Sequence, residues 1–357
     1  MIRILSVDDS ALVRRLLGQV FGAEPDFEVA FARNGLEGIE KLQSFQPDVV
    51  TLDIHMPQMD GLATLDRIML ERPCPVIMVS SLTEEGAEIT LEALRLGAVD
   101  FVAKPGGAVS LKLDRFGPEL VSKVRAAAGA RIPTSLRLAD RVRHRLGARL
   151  APTRRSTPST PKLAAATGQG LVVVGVSTGG PPALEALLRP LTADFPWPIL
   201  IAQHMPATFT SSLARRLDGL CALKVTEISE PTALKAGTAY IGRGDADVVV
   251  ARRGAVLTAE PVASDQAYPW HPSTDRLVRS AMEHVAARQL IGVLMTGMGD
   301  DGAQAMAALR AAGGRTVAES EETAIVWGMP GELVKAGGAD FILPVHKIAA
   351  RLESLTP

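Results

Sequence analysis

The sequence predicts an α/β protein built from two doubly wound parallel-sheet domains. Three observations carry that expectation. The chain has 357 residues, long for one domain and comfortable for two. Short apolar runs alternate with amphipathic stretches in both halves, the pattern of strands joined by crossover helices. Between the halves, the texture changes to a basic, Pro/Ser/Thr-rich stretch of linker character. The expected divisions are a first domain over residues 1–125, a linker over 126–167 and a second domain over 168–357.

In the first half the strand candidates are IRILSV, FEVAFA, DVVTLDI, VIMVSS and DFVAKP. The intervening helices are ALVRRLLGQVF, GLEGIEKLQS, GLATLDRIML and TLEALRLGA, with a last helix near 118–128. From Leu171 the alternation resumes with LVVVGVS, PPALEALLRPL, PILIAQH and FTSSLARRL, followed by a β-rich patch from Lys224 to Leu257. TDRLVRSAMEHVAA, LIGVLMTG, GAQAMAALRAAG, RTVAES and FILPV complete the series.

Composition excludes several classes. Hydrophobic residues make up 47% and charged residues 22%, with Lys+Arg 38 against Asp+Glu 39, as expected of a globular chain without a dominant charge. The two cysteines, Cys74 and Cys221, match no zinc or redox spacing and make no disulfide framework, which fits a reducing, cytoplasmic setting. Asp8 and Asp9 interrupt the apolar start, and no run of about 20 apolar residues occurs, so neither export nor membrane insertion is expected. Arg131 to Lys162 holds nine Lys/Arg and the single acid Asp140. SLRLADRVRHRL within it could form a basic helix. No aromatic residues are interleaved there for base stacking, so a solvated linker is expected and no nucleic-acid partner.

Functional groups of a parallel sheet gather at the carboxyl ends of its strands. Asp8 and Asp9 end the first strand of this chain, Asp53 ends the third, Ser80 the fourth, and Lys104 follows the fifth. Three carboxylates on one edge repel one another unless a cation shares them, and hard oxygen ligands suit Mg²⁺. Asp53 is then placed to accept a phosphoryl group whose oxygens the metal and Lys104 neutralise. Taken singly, each acid is as well explained as a helix cap.

In the second half, LVVVGVSTGG sets Ser177 between a strand and a helix, and GVSTG fits the G-x-S-x-G pattern of a nucleophile elbow. The same segment also fits a glycine-rich phosphate loop or an N-cap serine. His204 ends PILIAQH, and Asp300 and Asp301 follow LIGVLMTG. A serine needs a positioned base, and that base needs a carboxylate to orient it; both residue types stand at strand ends here. The chain order Ser, His, Asp differs from the Ser, Asp, His order of α/β-hydrolases. His271, in PWHPSTD, is a rival imidazole.

Across its first 125 residues or so the chain resembles the receiver domain of bacterial response regulators, a flavodoxin-like fold. The likeness lies in the Asp8–Asp9 pair, LDIHMPQMDG, Ser80, Phe101 and Lys104 followed by Pro105. It implies that Asp53 is the phosphoacceptor, that Asp8, Asp9 and Asp53 hold Mg²⁺, and that Ser80, Phe101 and Lys104 are the switch residues. Residues 170 to 350 resemble the Rossmann-like catalytic domain of the chemotaxis protein-glutamate methylesterases through GVSTGG, AQHMPATFTSSLARRL, TGMGDDGA and WGMPGELVKAGGAD. That resemblance implies Ser177 as nucleophile, His204 as general base and acid, Asp301 as its orienting carboxylate, Thr178 assisting, and the Met298 amide in the oxyanion hole. The implied activity is a phosphorylation-activated hydrolysis of glutamyl methyl esters on methyl-accepting chemoreceptors, releasing methanol, with deamidation of glutamines beside it. A chemotaxis histidine kinase is the implied phosphodonor, and the esterase site needs no cofactor. His55 beside the phosphoacceptor and the HPSTD run depart from the family pattern. A response regulator whose output half only binds a partner, and a hydrolase of a non-chemotactic pathway, are the competing readings.

Overall fold

A computed structural model describes residues 1–104, 109–130 and 170–357, with side chains from 116 onward in the helix that begins at 109. The chain divides into two compact units, Met1–Gly147 and Ala148–Pro357. The point of division, most of the expected linker and its basic helix, and Pro105 lie outside the described residues.

In the N-terminal unit the strands are β1 (Ile2–Val7), β2 (Phe27–Ala32), β3 (Val49–Asp53), β4 (Val76–Ser80) and β5 (Asp100–Ala103), in the order β2-β1-β3-β4-β5. All neighbours are parallel. Strands β3 and β4 are buried throughout, as continuous apolar runs covered on both faces must be. The helices are α1 (Ala11–Gly22), α2 (Gly35–Phe45), α3 (Gly61–Glu71), α4 (Glu84–Leu96) and α5 (Val109–Ala128). Ser10, Asn34, Asp60 and Thr83 start the first four, each side chain accepting from an amide of the first turn.

Helix α5 begins earlier than expected and ends where expected, at Ala128. It begins at Val109, with Pro118 inside it rather than at its start. It ends within the stretch assigned to the linker, because Val124 and Ala127 continue its buried face.

In the C-terminal unit, β6 (Leu171–Val176), β7 (Ile199–Gln203), β8 (Lys224–Ile228), β10 (Thr238–Gly242), β13 (Leu290–Leu294), β14 (Arg315–Glu319) and β15 (Phe341–Leu343) form one sheet. Its order is β15-β14-β13-β6-β7-β10-β8, parallel throughout. The helices are α6 (Gly180–Leu188), α7 (Ala207–Leu220), α8 (Thr274–His284), α9 (Ala303–Ala311), α10 (Met329–Lys335) and α11 (Val345–Leu355). The β-rich patch divides its strands between two sheets. While β8 and β10 extend the parallel sheet, β9 (Thr232–Ala233), β11 (Asp247–Arg253) and β12 (Val256–Val262) form a separate antiparallel sheet in the order β11-β12-β9. Val248, Val250, Leu257 and Ala259 of this small sheet share one apolar cluster with Leu277, Val278 and Ala281 of α8. That packing fixes where α8 begins.

The first strand of this unit, β6, lies in mid-sheet. The chain passes from it to β7, out to β8 at the edge and back to β10 between them, then crosses to the other side of β6 with β13. The gap between β6 and β13 is thus the topological switch point, where a doubly wound sheet opens a crevice.

One glycine positions the N-terminal edge. A Cβ on Gly61 would stand 2.3 Å from the Asp53 carbonyl oxygen and 2.7 Å from Ile54 Cα, both rigid backbone. Gly61→Ala therefore forces α3 off the end of β3. The expected result, read by chemical or thermal unfolding, is a loss of roughly 1–3 kcal/mol.

Candidate functional site

Two clusters of polar side chains stand at strand carboxyl ends, one in each unit.

In the C-terminal unit, Val176 pairs with Gln203 across β6 and β7, so Ser177 and His204 leave the sheet side by side. The His204 amide donates to the Val176 carbonyl at 3.1 Å, and the Ser177 amide donates to Thr296 O at 3.0 Å. The backbone turns after Ser177 through Gly179 in a left-handed conformation (φ 76°) into α6. The Ser177 carbonyl accepts from Gly180 N at 2.8 Å and from Gln203 Nε2 at 3.0 Å, which fixes the elbow from two sides.

His204 Nε2 lies 2.8 Å from Asp301 Oδ2, with the two side chains only 7% and 5% exposed. The other ring nitrogen, Nδ1, is buried and has no partner among the described residues. Asp301 also accepts from Thr274 N at 2.6 Å, Asp275 N at 3.0 Å and Ser273 Oγ at 3.0 Å. Those amides are the first turn of α8, whose N-cap is Ser273, so a helix N-terminus faces the carboxylate. Burial alone would raise the Asp301 pKa. The hydrogen bond and charge of His204 and the α8 amides outweigh it and hold the carboxyl below its usual range. The neighbouring Asp300 is exposed.

His271 does not join this cluster. Its Nδ1 lies 2.9 Å from Asp247 Oδ1, and the same buried carboxylate accepts from Arg276 Nη1 and Ser273 N, each at 2.7 Å. Met298 stands between Gly297 and Gly299 on the loop after β13. That loop is anchored through Gly297 O, which accepts from Gly328 N at 3.1 Å and Met329 N at 2.9 Å. A Cβ on Gly297 would stand 2.8 Å from Ser177 Cβ, so only glycine lets this loop lie against the serine. Thr178 is buried, and its carbonyl accepts from Thr296 Oγ1 at 2.9 Å.

Several participants had not been singled out from sequence. The Trp270 ring stacks on His204, with centroids 5.7 Å apart and planes 12° from parallel. Buried Glu319, at the end of β14, accepts from Thr296 N at 2.8 Å and from Thr323 Oγ1 at 2.9 Å, beneath the Met298 loop. Gln203, Thr296 and Asp247 complete the supporting shell. A glutamate closing RTVAE carries no sequence mark of burial, and no spacing links Trp270 to His204.

In the N-terminal unit, Lys104 Nζ bridges Asp53 Oδ2 at 2.8 Å and Asp8 Oδ2 at 3.0 Å. One carboxylate oxygen from each of Asp8, Asp9 and Asp53 lies within 4.8 Å of the others, an all-oxygen set that fits a hard divalent cation. Burial raises the Asp8 pKa; Lys104 opposes this and the Asp53 charge adds to it. Desolvation would lower the Lys104 pKa, but the two aspartates outweigh it and raise it. The Ser80 hydroxyl points toward α4, donating to Ser81 O at 3.3 Å and Gly86 O at 3.4 Å. Phe101 is buried, with Lys123 Nζ donating to its carbonyl at 2.7 Å and lying 5.2 Å from its ring centroid. Among the described residues no helix is long and apolar enough to cross a membrane.

Known proteins match both halves. The CheB methylesterase family matches residues 172–352, and the response regulator receiver domain matches 4–113. A protein-glutamate methylesterase/protein-glutamine glutaminase of Rhodopseudomonas palustris is 57% identical over 354 residues, covering 98% of this chain and 97% of that protein. One of Rhodospirillum rubrum is 51% identical, covering 99% and 96%. The crystal structure of the Thermotoga maritima CheB methylesterase catalytic domain aligns with a TM-score of 0.52 at 36% identity, covering 53% of this chain and all of that domain.

Burial pushes the Glu319 carboxyl up to about 7 from an ordinary 4.5, against the opposing hydrogen bonds from Thr296 and Thr323. The folded chain thus binds this proton more tightly than the unfolded chain. The associated stability is fully present below about pH 4.5 and is lost as pH rises to about 7. Glu319→Gln, which keeps the shape without the charge, is expected to flatten that slope and to be more stable than wild type at pH 8 by roughly 1–3 kcal/mol. Unfolding midpoints measured from pH 5 to 8 check this; parallel curves for the two proteins would refute it.

Proposed function

Because the chain belongs to the CheB methylesterase family and carries a response regulator receiver domain ahead of the catalytic one, we propose that Ser177, His204 and Asp301 perform its hydrolysis and that Asp53 governs it. The chain is a protein-glutamate methylesterase with protein-glutamine glutaminase activity, controlled by phosphorylation and acting in chemosensory adaptation. Its substrates are glutamyl methyl esters and glutamines of methyl-accepting chemoreceptors, and a chemotaxis histidine kinase supplies the phosphoryl group. The receiver reaches to the end of α5 at Ala128, a little past the expected boundary, and the catalytic domain follows the linker.

The observation that carries the residue assignment is the engaged and the unengaged nitrogen of one buried imidazole. With Nε2 tied to Asp301, the proton of Ser177 Oγ goes to Nδ1. The freed oxygen attacks the γ-carbonyl carbon and forms a tetrahedral oxyanion. The Met298 amide donates to this oxyanion, and Thr178 shapes the wall beside it. Collapse breaks the bond to methoxide, which leaves as methanol with the proton held at Nδ1. Water, deprotonated by the same nitrogen, then hydrolyses the Ser177 ester and restores the serine. With a glutamine substrate, ammonia leaves instead. Asp301 stays ionised throughout, orienting His204 and offsetting its positive charge. No step requires a cofactor.

In the receiver, Asp8, Asp9 and Asp53 would hold Mg²⁺, which supplies charge neutralisation for phosphoryl transfer when bound. Lys104 offsets charge on the new phosphoryl group. Ser80 leaves its bonds to the α4 side to reach that group, and Phe101 follows it.

Methanol release from methylated receptor fragments tests both parts. The wild-type chain is expected to release methanol faster with acetyl phosphate and Mg²⁺. Ser177→Ala and His204→Gln should abolish release, and Asp301→Asn should lower kcat by about 10³–10⁴. Asp53→Asn should remove the acceleration. Turnover by Ser177→Ala would refute the nucleophile, and acceleration of Asp53→Asn would refute the phosphoacceptor.

A further inference from the structure

The stacked ring over His204 lies outside everything the triad requires. Trp270 is half-buried, and its indole lies nearly parallel to the imidazole, offset at 5.7 Å between centroids. The same indole borders the oxyanion loop, since a Cβ on Gly299 would meet Trp270 Nε1 at 3.4 Å. One side chain thus touches the ring that takes the proton and the loop beside the developing oxyanion.

The segment that carries it is held firmly. His271 and Ser273, immediately beyond, both bond to Asp247, which Arg276 grips from the other side. This gives His271 a part in the site that is distinct from acid–base chemistry: it anchors the tryptophan.

We propose that Trp270 is a positioning residue of the hydrolytic reaction, its indole face fixing the plane of His204 and stabilising the imidazolium that forms when Nδ1 takes the Ser177 proton. The inference rests on the reading of His204 as the base.

Two physical needs support it. The terminal torsion of a histidine is soft, and one hydrogen bond at Nε2 lets the ring swing about that contact. A flat partner along one face removes the swing and keeps Nδ1 aimed at the serine. Second, the face of an indole carries negative potential and attracts a cation laid against it. The imidazole is uncharged before proton transfer and cationic after it, so the attraction is stronger in the transition state than in the ground state. An interaction of that kind raises kcat and leaves substrate binding alone.

The test compares Trp270→Phe, Trp270→Leu and Trp270→Ala in the full chain, with Ser177→Ala and His204→Gln beside them, in the methanol-release assay. Trp270→Phe keeps a flat π-face and is expected to retain kcat within about 3-fold. Trp270→Leu keeps apolar bulk without the face and is expected to lose roughly 10-fold in kcat at unchanged KM. Equal kcat in the Phe and Leu variants would reduce Trp270 to packing and overturn the proposal. A raised KM with kcat retained would make it a substrate wall and overturn it equally. If Trp270→Ala fails to fold, the Phe and Leu pair still decides. Activity in His204→Gln would instead sink the assignment of the base, a failure visible apart from any result at position 270.

Discussion

Everything in the catalytic unit converges on a carboxylate that must stay ionised in a place where water scarcely reaches it. Asp301 is nearly buried, and an isolated charge there costs several kcal/mol. Four donors meet that cost: His204 Nε2, the Ser273 hydroxyl and the amides of Thr274 and Asp275. They come from the end of β7 and the start of α8, while the carboxylate itself follows β13. One ionic centre therefore ties three otherwise separate elements into a single geometry. The antiparallel sheet β11-β12-β9 serves the same centre at one remove, since its packing against α8 sets where those amides point.

The receiver solves a related problem by different means. Asp8 and Asp53 lie close together with little water, and Lys104 spans them. In the catalytic unit the compensating charge is partly a helix end, which cannot move away without unfolding a turn. In the receiver it is one flexible ammonium on a long stem, and a side chain can be displaced when a cation or a phosphoryl group arrives. A fixed partner suits a residue that orients others; a movable one suits a residue that must change state.

Much of this was legible in the sequence because parallel sheets deliver strand ends to one edge. Ser177, His204 and Asp301 each follow a continuous apolar run, and so do Asp8, Asp53 and Lys104. What escaped was whatever depended on contacts between segments distant in sequence. Trp270 lies in an irregular stretch after the small sheet, and only the folded chain carries it onto His204. Glu319 closes a strand with a residue type that usually faces solvent, and the amide that meets its carboxylate, Thr296 N just after β13, is distant in sequence. In the β-rich patch, which strand pairs with which, and in which direction, is set by contacts between segments rather than within any one of them. The last helix starts at Val109, well before residue 118, and α5 absorbs Pro118 within its length. His271 and His204 were indistinguishable as imidazoles; their partners, Asp247 and Asp301, separate them.

The place of β6 in the middle of its sheet also bears on when the enzyme comes into being. Ser177 and His204 are synthesised before their carboxylate, at the ends of neighbouring strands. Their carboxylate follows only after α8 and β13 have been synthesised, on the opposite side of β6. A chain interrupted between those points holds a serine and an imidazole but nothing to orient them. On the proposed assignment of Ser177, His204 and Asp301, esterase activity is expected only once the second wing of the sheet has closed, and chains that stop before it are expected to be hydrolytically silent.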